Sequence, residues 1–454
     1  MKSLVRISLP RPRSLAAALS LALAGATAPP SLEARTTAQL LTVQNCDDSG
    51  AGSLRDVYGS AQDGDEVSMT QLACSTITLT SGPILSRIDA GYVVLQGPLD
   101  HALTVSGNHV GRVIMHDGTR VTVNDLHITA GVANDATGGG CIYSSGDVHL
   151  GRSTVSDCEV STSGTTVARG GGIHAVRGVE LVDSRVTGNR AHAAAADSEG
   201  AGVHSVYFVS RIQSTISDNT ASSGGYHFAR GGGAFASTYL RCDDSTFSGN
   251  SAGNGGAIYL GNLNQILTPS MSNVTISGNS ALGAAGGIFT GRSINIFNST
   301  ITGNSAVFDF GAGIYLGGGD VELHSTIVAN NTTGGGLNVA DIAGHGGAAI
   351  TGAHNLVTAS TLLLPDDTIM TEPMLGPLAE NRGRAFTHAL LPGSPAIDKG
   401  ENPLGLIQDE RGYDCPPDRQ CILAERTIGP ATDIGAFEVG AFDQIFHGEF
   451  DVEA

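Results

Sequence analysis

The phrase STISDN at 214–219 returns with small changes along the middle of the chain. It reads STVSDC at 153–158, SRVTGN at 184–189, STFSGN at 245–250, VTISGN at 274–279, STITGN at 299–304 and STIVAN at 325–330. Its last position is therefore Cys158, Asn189, Asn219, Asn250, Asn279, Asn304 and Asn330, with spacings of 31, 30, 31, 29, 25 and 26 residues. A second, glycine-rich phrase accompanies the copies: GGGCIY at 138–143, GGGIHA at 170–175, GAGVHS at 200–205, GGGAFA at 231–236, NGGAIY at 254–259, AGGIFT at 285–290 and GAGIYL at 311–316. A fixed period of this size means stacked units that bury their faces on one another. The alternation in Thr215-Ile216-Ser217 and its β-branched residues are strand grammar, and no amphipathic helical run interrupts the repeat.

Each unit is thus one coil of two or three short strands, and the fold expected is all-β: a single-stranded, right-handed parallel β-helix of roughly twelve rungs. At about 4.8 Å per rung the body would be on the order of 60 Å long. The paired glycines permit positive φ and close backbone approach at a corner. The recurrent Asn suits a ladder from rung to rung, a structural reading preferred to a catalytic one.

Gly255-Gly256-Ala257-Ile258 following Phe247-Ser248-Gly249-Asn250 resembles the paired repeat motifs of the polymorphic outer-membrane protein family. Farther on, Ser394-Pro395-Ala396-Ile397-Asp398-Lys399-Gly400, Asp409-Glu410-Arg411-Gly412 and Asp433-Ile434-Gly435-Ala436-Phe437-Glu438 form an ordered series. That series resembles the C-terminal signature of the choice-of-anchor Q family of bacterial secreted β-helix proteins. The resemblance implies a β-helix displayed outside a bacterial cell, with the signature as a structural module. The chain departs from the outer-membrane family in lacking room for a large C-terminal barrel.

Met1 to Ala28 reads as a secretory signal, with Lys2, Arg6, Arg11 and Arg13 flanking the apolar run Leu15–Ala26. Residues 36–75 are expected to form an N-terminal cap with a short helix around Ser53–Ala61, 76–360 the repeats, 361–438 a C-terminal capping module and 439–454 a tail. The composition agrees: 454 residues with 63 Gly, no Trp and 41% apolar content suit a turn-dense solenoid and not a disordered chain. The formal charge is −19, and removing four basic signal residues gives −19 − 4 = −23. Such a chain repels phosphate backbones and anionic lipid, so neither nucleic acid nor a membrane surface is an expected partner. No run after the signal is long and apolar enough to span a bilayer.

Seven Cys behind a signal suggest disulfides with one thiol left over. Cys46 and Cys74 are 28 residues apart, about one rung, and are expected to bridge; Cys415 and Cys421 can close a small loop. Cys141 and Cys158 fall within one rung and Cys242 has no evident mate, so the pairing of these three stays open. No closely spaced Cys or His ligands point to zinc, and neither a metal nor a cofactor is expected.

Parallel β-helices host polysaccharide lyases and hydrolases, which sets two catalytic alternatives. Asp243-Asp244 and Gly344-His345-Gly346 match the residue types of polygalacturonase-like hydrolases, but about a hundred residues separate them, several rungs and beyond the reach of one glycosidic bond. Asp398, Asp409, Glu410 and Asp433 with Arg411 could form a calcium site of the pectate-lyase kind, or an Asp–Arg network pinning a cap. A binding alternative rests on the residues after each glycine corner: Ile142, His174, His204, Phe235, Ile258, Phe289 and Tyr315. His174, His204, Phe235, Phe289 and Tyr315 are the ligand-binding candidates if the file faces outward; facing inward, it is a core stack. The expected function is a non-catalytic adhesive or scaffold surface toward an extracellular glycan or a host or cell-surface protein, the alternative being a polysaccharide lyase or glycosidase.

Overall fold

The computed structural model describes residues 37–440 except 88–89, 100–102, 264–266, 309, 335–337, 340, 384 and 415–421. The segment 1–28 expected to be a signal, the tail from 441 and the pair Cys415/Cys421 lie outside the described residues. The chain is a parallel β-helix whose coils are triangular. Each coil crosses three faces in order, as at Ile173–Ala175 (face 1), Gly178–Val182 (face 2) and Arg185–Thr187 (face 3). Among the described residues each face carries one stack: ten strands on face 1, from Ile84–Leu85 to Ile342–Gly344. Twelve stack on face 2, from Leu40–Thr42 to Ile350–Ala353. Face 3 holds eleven, from Thr76–Thr78 to Leu356–Val357.

Alternation sends Val93, Val121, Val148, Val179, Phe208 and Leu240 into one interior column, all at most 1% exposed. The helix Leu54–Ser60, capped by Ser53 Oγ on Asp56 N at 3.3 Å, buries Leu54 and Tyr58 against this core. Tyr58 carries its hydroxyl inside because His116 Nδ1 meets it at 2.9 Å.

The two repeated phrases mark two corners. In the first glycine corner Gly170, Gly200, Gly231 and Gly255 have φ of 61–66°. The next position is crowded by backbone: a Cβ on Gly232 would stand 2.4 Å from the carbonyl oxygens of both Gly256 and Ser251. In the other phrase the left-handed residue is the one before the ladder, Asp157, Gly188, Asp218, Gly249, Gly278, Gly303 and Asn330. The ladder itself is Asn189, Asn219, Asn250, Asn279, Asn304 and Asn331, each side-chain N–H donating to the next Oδ1 at 2.8–2.9 Å. Asn331 replaces the expected Asn330 because Ile301 pairs with Val328, one residue later than the phrase suggests. The ladder ends on Asp341, an acceptor for both Asn331 N and Nδ2.

Cys46 and Cys74 are bonded across adjacent coils, with Cα atoms 6.5 Å apart. Cys141 and Cys158 are also bonded, with Cα atoms 5.5 Å apart. Seventeen residues carry the chain across three faces, and a triangle returns to its first corner, so the start of face 1 meets the corner after face 3. Cys242 is free and buried, and burial pushes its thiol pKa up.

Beyond Ser360 the chain turns over the end of the coil, packing Leu362 and Leu364 on the core and pairing Ile369 with Leu356. It then runs back along the outside of face 3 as a strap with two hairpins, Leu375–Ala379 with Thr387–Leu390 and Gln408–Asp414 with Ile422–Glu425. The strap grips the outward hydroxyls of face 3. Thr246 Oγ1 meets Phe386 O and Glu410 Oε1 at 2.9 and 3.1 Å, and Ser277 Oγ lies 2.8 Å from His388 Nε2. Thr300 Oγ1 accepts from Ala436 N at 3.0 Å.

Candidate functional site

The five ligand-binding candidates do form one file on the outward side of face 1: His174, His204, Phe235, Phe289 and Tyr315. Tyr143 and Tyr259 complete it, whereas Ile142 and Ile258 point into the core opposite Ile173 and Ile288. The glycine phrase is one residue longer at 138–142 and one residue out of step at 254–258, which shifts the parity. The rings lie one over another. His204, Phe235, Tyr259 and Phe289 are parallel within 3–8° at centroid distances of 5.0, 5.4 and 4.6 Å. Their faces therefore cover each other and only edges look outward, so a sugar ring has no face to stack on there.

Charged groups close over the file. Glu199 Oε2 lies 3.4 Å from His204 Nε2, and Arg230 bridges Glu199 at 3.0 Å and Asp197 at 2.9 Å. Burial would raise the Glu199 carboxyl, but the His204 hydrogen bond and the Arg169 and Arg230 charges hold it at about 2. Burial, with His204 beside it, pushes His174 down to about 3. Burial also lowers His204, so both imidazoles stay neutral at neutral pH. With Nε2 donating to Glu199, His204 Nδ1 is left buried without a partner.

The catalytic alternatives are taken apart by the fold. Asp243 pairs with Arg241 at 2.7 Å and accepts from Ser272 Oγ at 2.6 Å. The coil carrying His345 lies four steps away, through Ser272, Phe297, His324 and Ala353, roughly 19 Å. Asp244 instead faces the strap, accepting from Asn273 and Gln408 at 3.0 and 3.2 Å. Arg411 pairs with Asp409 at 2.8 Å and packs 4.0 Å from the Phe437 ring centroid, while the Asp433 oxygens accept from Asp398 N and Val439 N. Asp409 thus serves Arg411, Glu410 the hydroxyls of Thr246 and Thr275, and Asp433 the backbone of Asp398 and Val439, and among the described residues no group of three or more such side chains is placed to hold a metal ion.

The residues that do converge on an open surface were not singled out by the sequence. On face 2, Arg120, Asp147, His149, Glu180 and Tyr207 line a depression of about 100 Å³. Tyr207 reaches across a whole coil to donate to Asp147 Oδ1 at 2.6 Å. It can do so because the intervening residue is Gly178, where a Cβ would stand 1.9 Å from Tyr207 Cε2. Burial and the Asp147 carboxylate push the Tyr207 phenol up to about 12, which keeps it a donor. His149 Nδ1 lies 3.3 Å from Glu180, and Arg120 lies 3.8 Å from Asp147. Across the bend, three of these four coils form a second depression of about 220 Å³ lined by His127, Arg152, Thr154, Asp183 and Arg185. Arg152 there is bound by both Asp125 oxygens at 2.8 and 2.7 Å. The one sequence signal was a glycine opening a strand at 178, a mark of close approach.

No family model matches the chain, and no curated protein matches it. Among solved structures it is similar to the crystal structure of pectate lyase Pel9A, at 13% identity and a TM-score of 0.48, covering 88% of this chain and 96% of that one.

Proposed function

We propose that the protein is an exported, non-catalytic binding protein that lays an uncharged polysaccharide chain across the paired depressions of faces 2 and 3. The observation that carries this reading is the Tyr207–Asp147 bridge over Gly178, which fixes an aromatic ring and matched donors and acceptors on an open face. The depressions are well below the roughly 300–1,000 Å³ of an enclosed small-molecule site, so they suit a chain lying across the surface. Arg120 and Arg152 are each opposed by a carboxylate, and the chain is acidic overall, which disfavours a polyanion. The Cys46–Cys74 and Cys141–Cys158 bonds suit an oxidising, extracytoplasmic compartment, and among the described residues no helix is long and apolar enough to cross a membrane. A displayed surface of the kind the choice-of-anchor Q resemblance implies fits the same reading. The face 1 file enters it as scaffold and not as contact.

A second reading, a glycosidase, is favoured by one observation: Asp147 and Glu180 line the same depression. A panel of neutral and acidic polysaccharides separates the two, followed by affinity electrophoresis and by assays of reducing ends and unsaturated products. Retention by a neutral glycan without product, lost in Tyr207→Ala, supports binding. Product formation abolished by Asp147→Asn establishes the enzyme instead. No retention on any glycan refutes both.

A further inference from the structure

The contact between the strap and face 3 contains more acid than base. Asp409, Glu410, Asp433 and Glu438 are at most 1% exposed, and Asp244 lies partly buried beside them. Among the described residues two buried guanidinium groups, Arg411 and Arg426, stand against these five carboxyls. Arg411 is committed to Asp409, and Arg426 donates to the carbonyls of Asp433 and Gly435. Among the described residues Asp244 and Glu410 thus face only uncharged or acidic groups, while Glu438 shares the Arg426 charge with Asp433.

Glu410 bonds the hydroxyls of Thr246 and Thr275, with Asp244 the charged neighbour. Asp244 meets the amides of Asn273 and Gln408, with Asp243 and Asp409 nearby. Asp243 is answered by Arg241. Glu438 accepts from Ile428 N and Asp433 N, both at 2.9 Å, between the Asp433 carboxyl and Arg426. His388 adds no charge at neutral pH, since burial lowers it. Burying Asp244 and Glu410 as unpaired carboxylates, and Glu438 and Asp433 as two carboxylates around one guanidinium, would be prohibitive, so the docked strap holds Asp244, Glu410 and Glu438 as acids.

We propose that the strap is a proton-gated latch, closed on face 3 while Asp244, Glu410 and Glu438 are protonated and released as they ionise. Release bares the outward hydroxyls of Thr246, Thr275 and Thr300, which the strap now occupies. Burial raises all three groups, Asp244 to about 7 and Glu438 to about 8, whereas a carboxyl freed from this contact titrates near 4. Between those limits the docked state binds more protons than the free one. Docking is therefore strongest below about pH 4 and weakens as pH rises through about 7 to 8. A single group moved from about 4 to about 7 weakens the docking constant by roughly a hundredfold between about pH 5 and about pH 8.5.

Hydrogen exchange on the intact protein tests this. The reporters are the docking amides of Phe386, Glu401, Gly435 and Ala436, which donate to Thr246, Ser325 and Thr300, and the internal reference is the strand Ile294–Phe297. After correction for intrinsic rates, reporter protection should fall at least about tenfold from about pH 5 to about pH 8.5 while the reference holds. The Asp244→Asn and Glu410→Gln variants, singly or together, should flatten that response. Reporter protection that does not change overturns the proposal, as does a loss shared equally by Ile294–Phe297. Folded variants that keep the full wild-type response overturn it too. The wild-type comparison decides if a variant does not fold.

Discussion

Replacing Asn250 by Ala tests what the ladder contributes. Asn250 Oδ1 accepts from Asn219 N at 3.1 Å and from Asn219 Nδ2 at 2.9 Å. Its Nδ2 donates to Ile216 O and to Asn279 Oδ1, both at 2.9 Å. The side chain is fully buried, so water cannot replace it without entering the coil. Four hydrogen bonds at about 1 kcal/mol each predict a loss of about 4 kcal/mol. In a stacked array the damage should be local, because each coil contacts only its neighbours. Urea unfolding followed by far-UV circular dichroism reads the total. Hydrogen exchange should show coils around Asn219 and Asn279 opening before the rest. A loss below about 1 kcal/mol, or protection that falls uniformly along the chain, would refute the ladder as a coupling element. Asn250→Asp keeps the volume and removes the donors, so it should cost at least as much at neutral pH.

The ladder's end makes a complementary prediction: Asp341 accepts on both oxygens, from Asn331 on one and from Thr358 Oγ1 and Ala359 N on the other. Asp341→Asn turns a donor toward donors and should cost about 2 kcal/mol in thermal or urea unfolding. Paired Cys141→Ser and Cys158→Ser substitutions open a loop of 17 residues and should cost about 3 kcal/mol, measured without reductant so that Cys46–Cys74 stays closed. Gly178→Ala places a methyl group in the Tyr207 ring and should abolish glycan retention while shifting stability by less than about 1 kcal/mol. Retention at wild-type strength in that variant would remove Tyr207 from the site.

Much of this molecule was legible because a solenoid writes its fold locally. The 25–31-residue spacing, the Thr-Ile-Ser alternation and the glycine corners each follow from what one coil needs, and coils repeat those needs. Bonds between neighbouring coils were legible for the same reason, since Cys46 and Cys74 are one period apart. The candidate file was legible in composition and misread in register at Ile142 and Ile258, because a one-residue slip exchanges inside for outside.

Tertiary structure alone decided the rest. The Cys141–Cys158 bond depends on a three-sided coil closing on its own corner. The meeting of Asp244 with Gln408, 164 residues away, depends on the strap folding back along face 3. Tyr207 finds Asp147 only because the one coil between them presents a glycine. The sequence by itself determined the repeating coil, whose contacts are short-range and periodic. Which faces are covered, which stay open and which carboxyls are enclosed required the structure, because those contacts join aperiodic segments that no spacing announces.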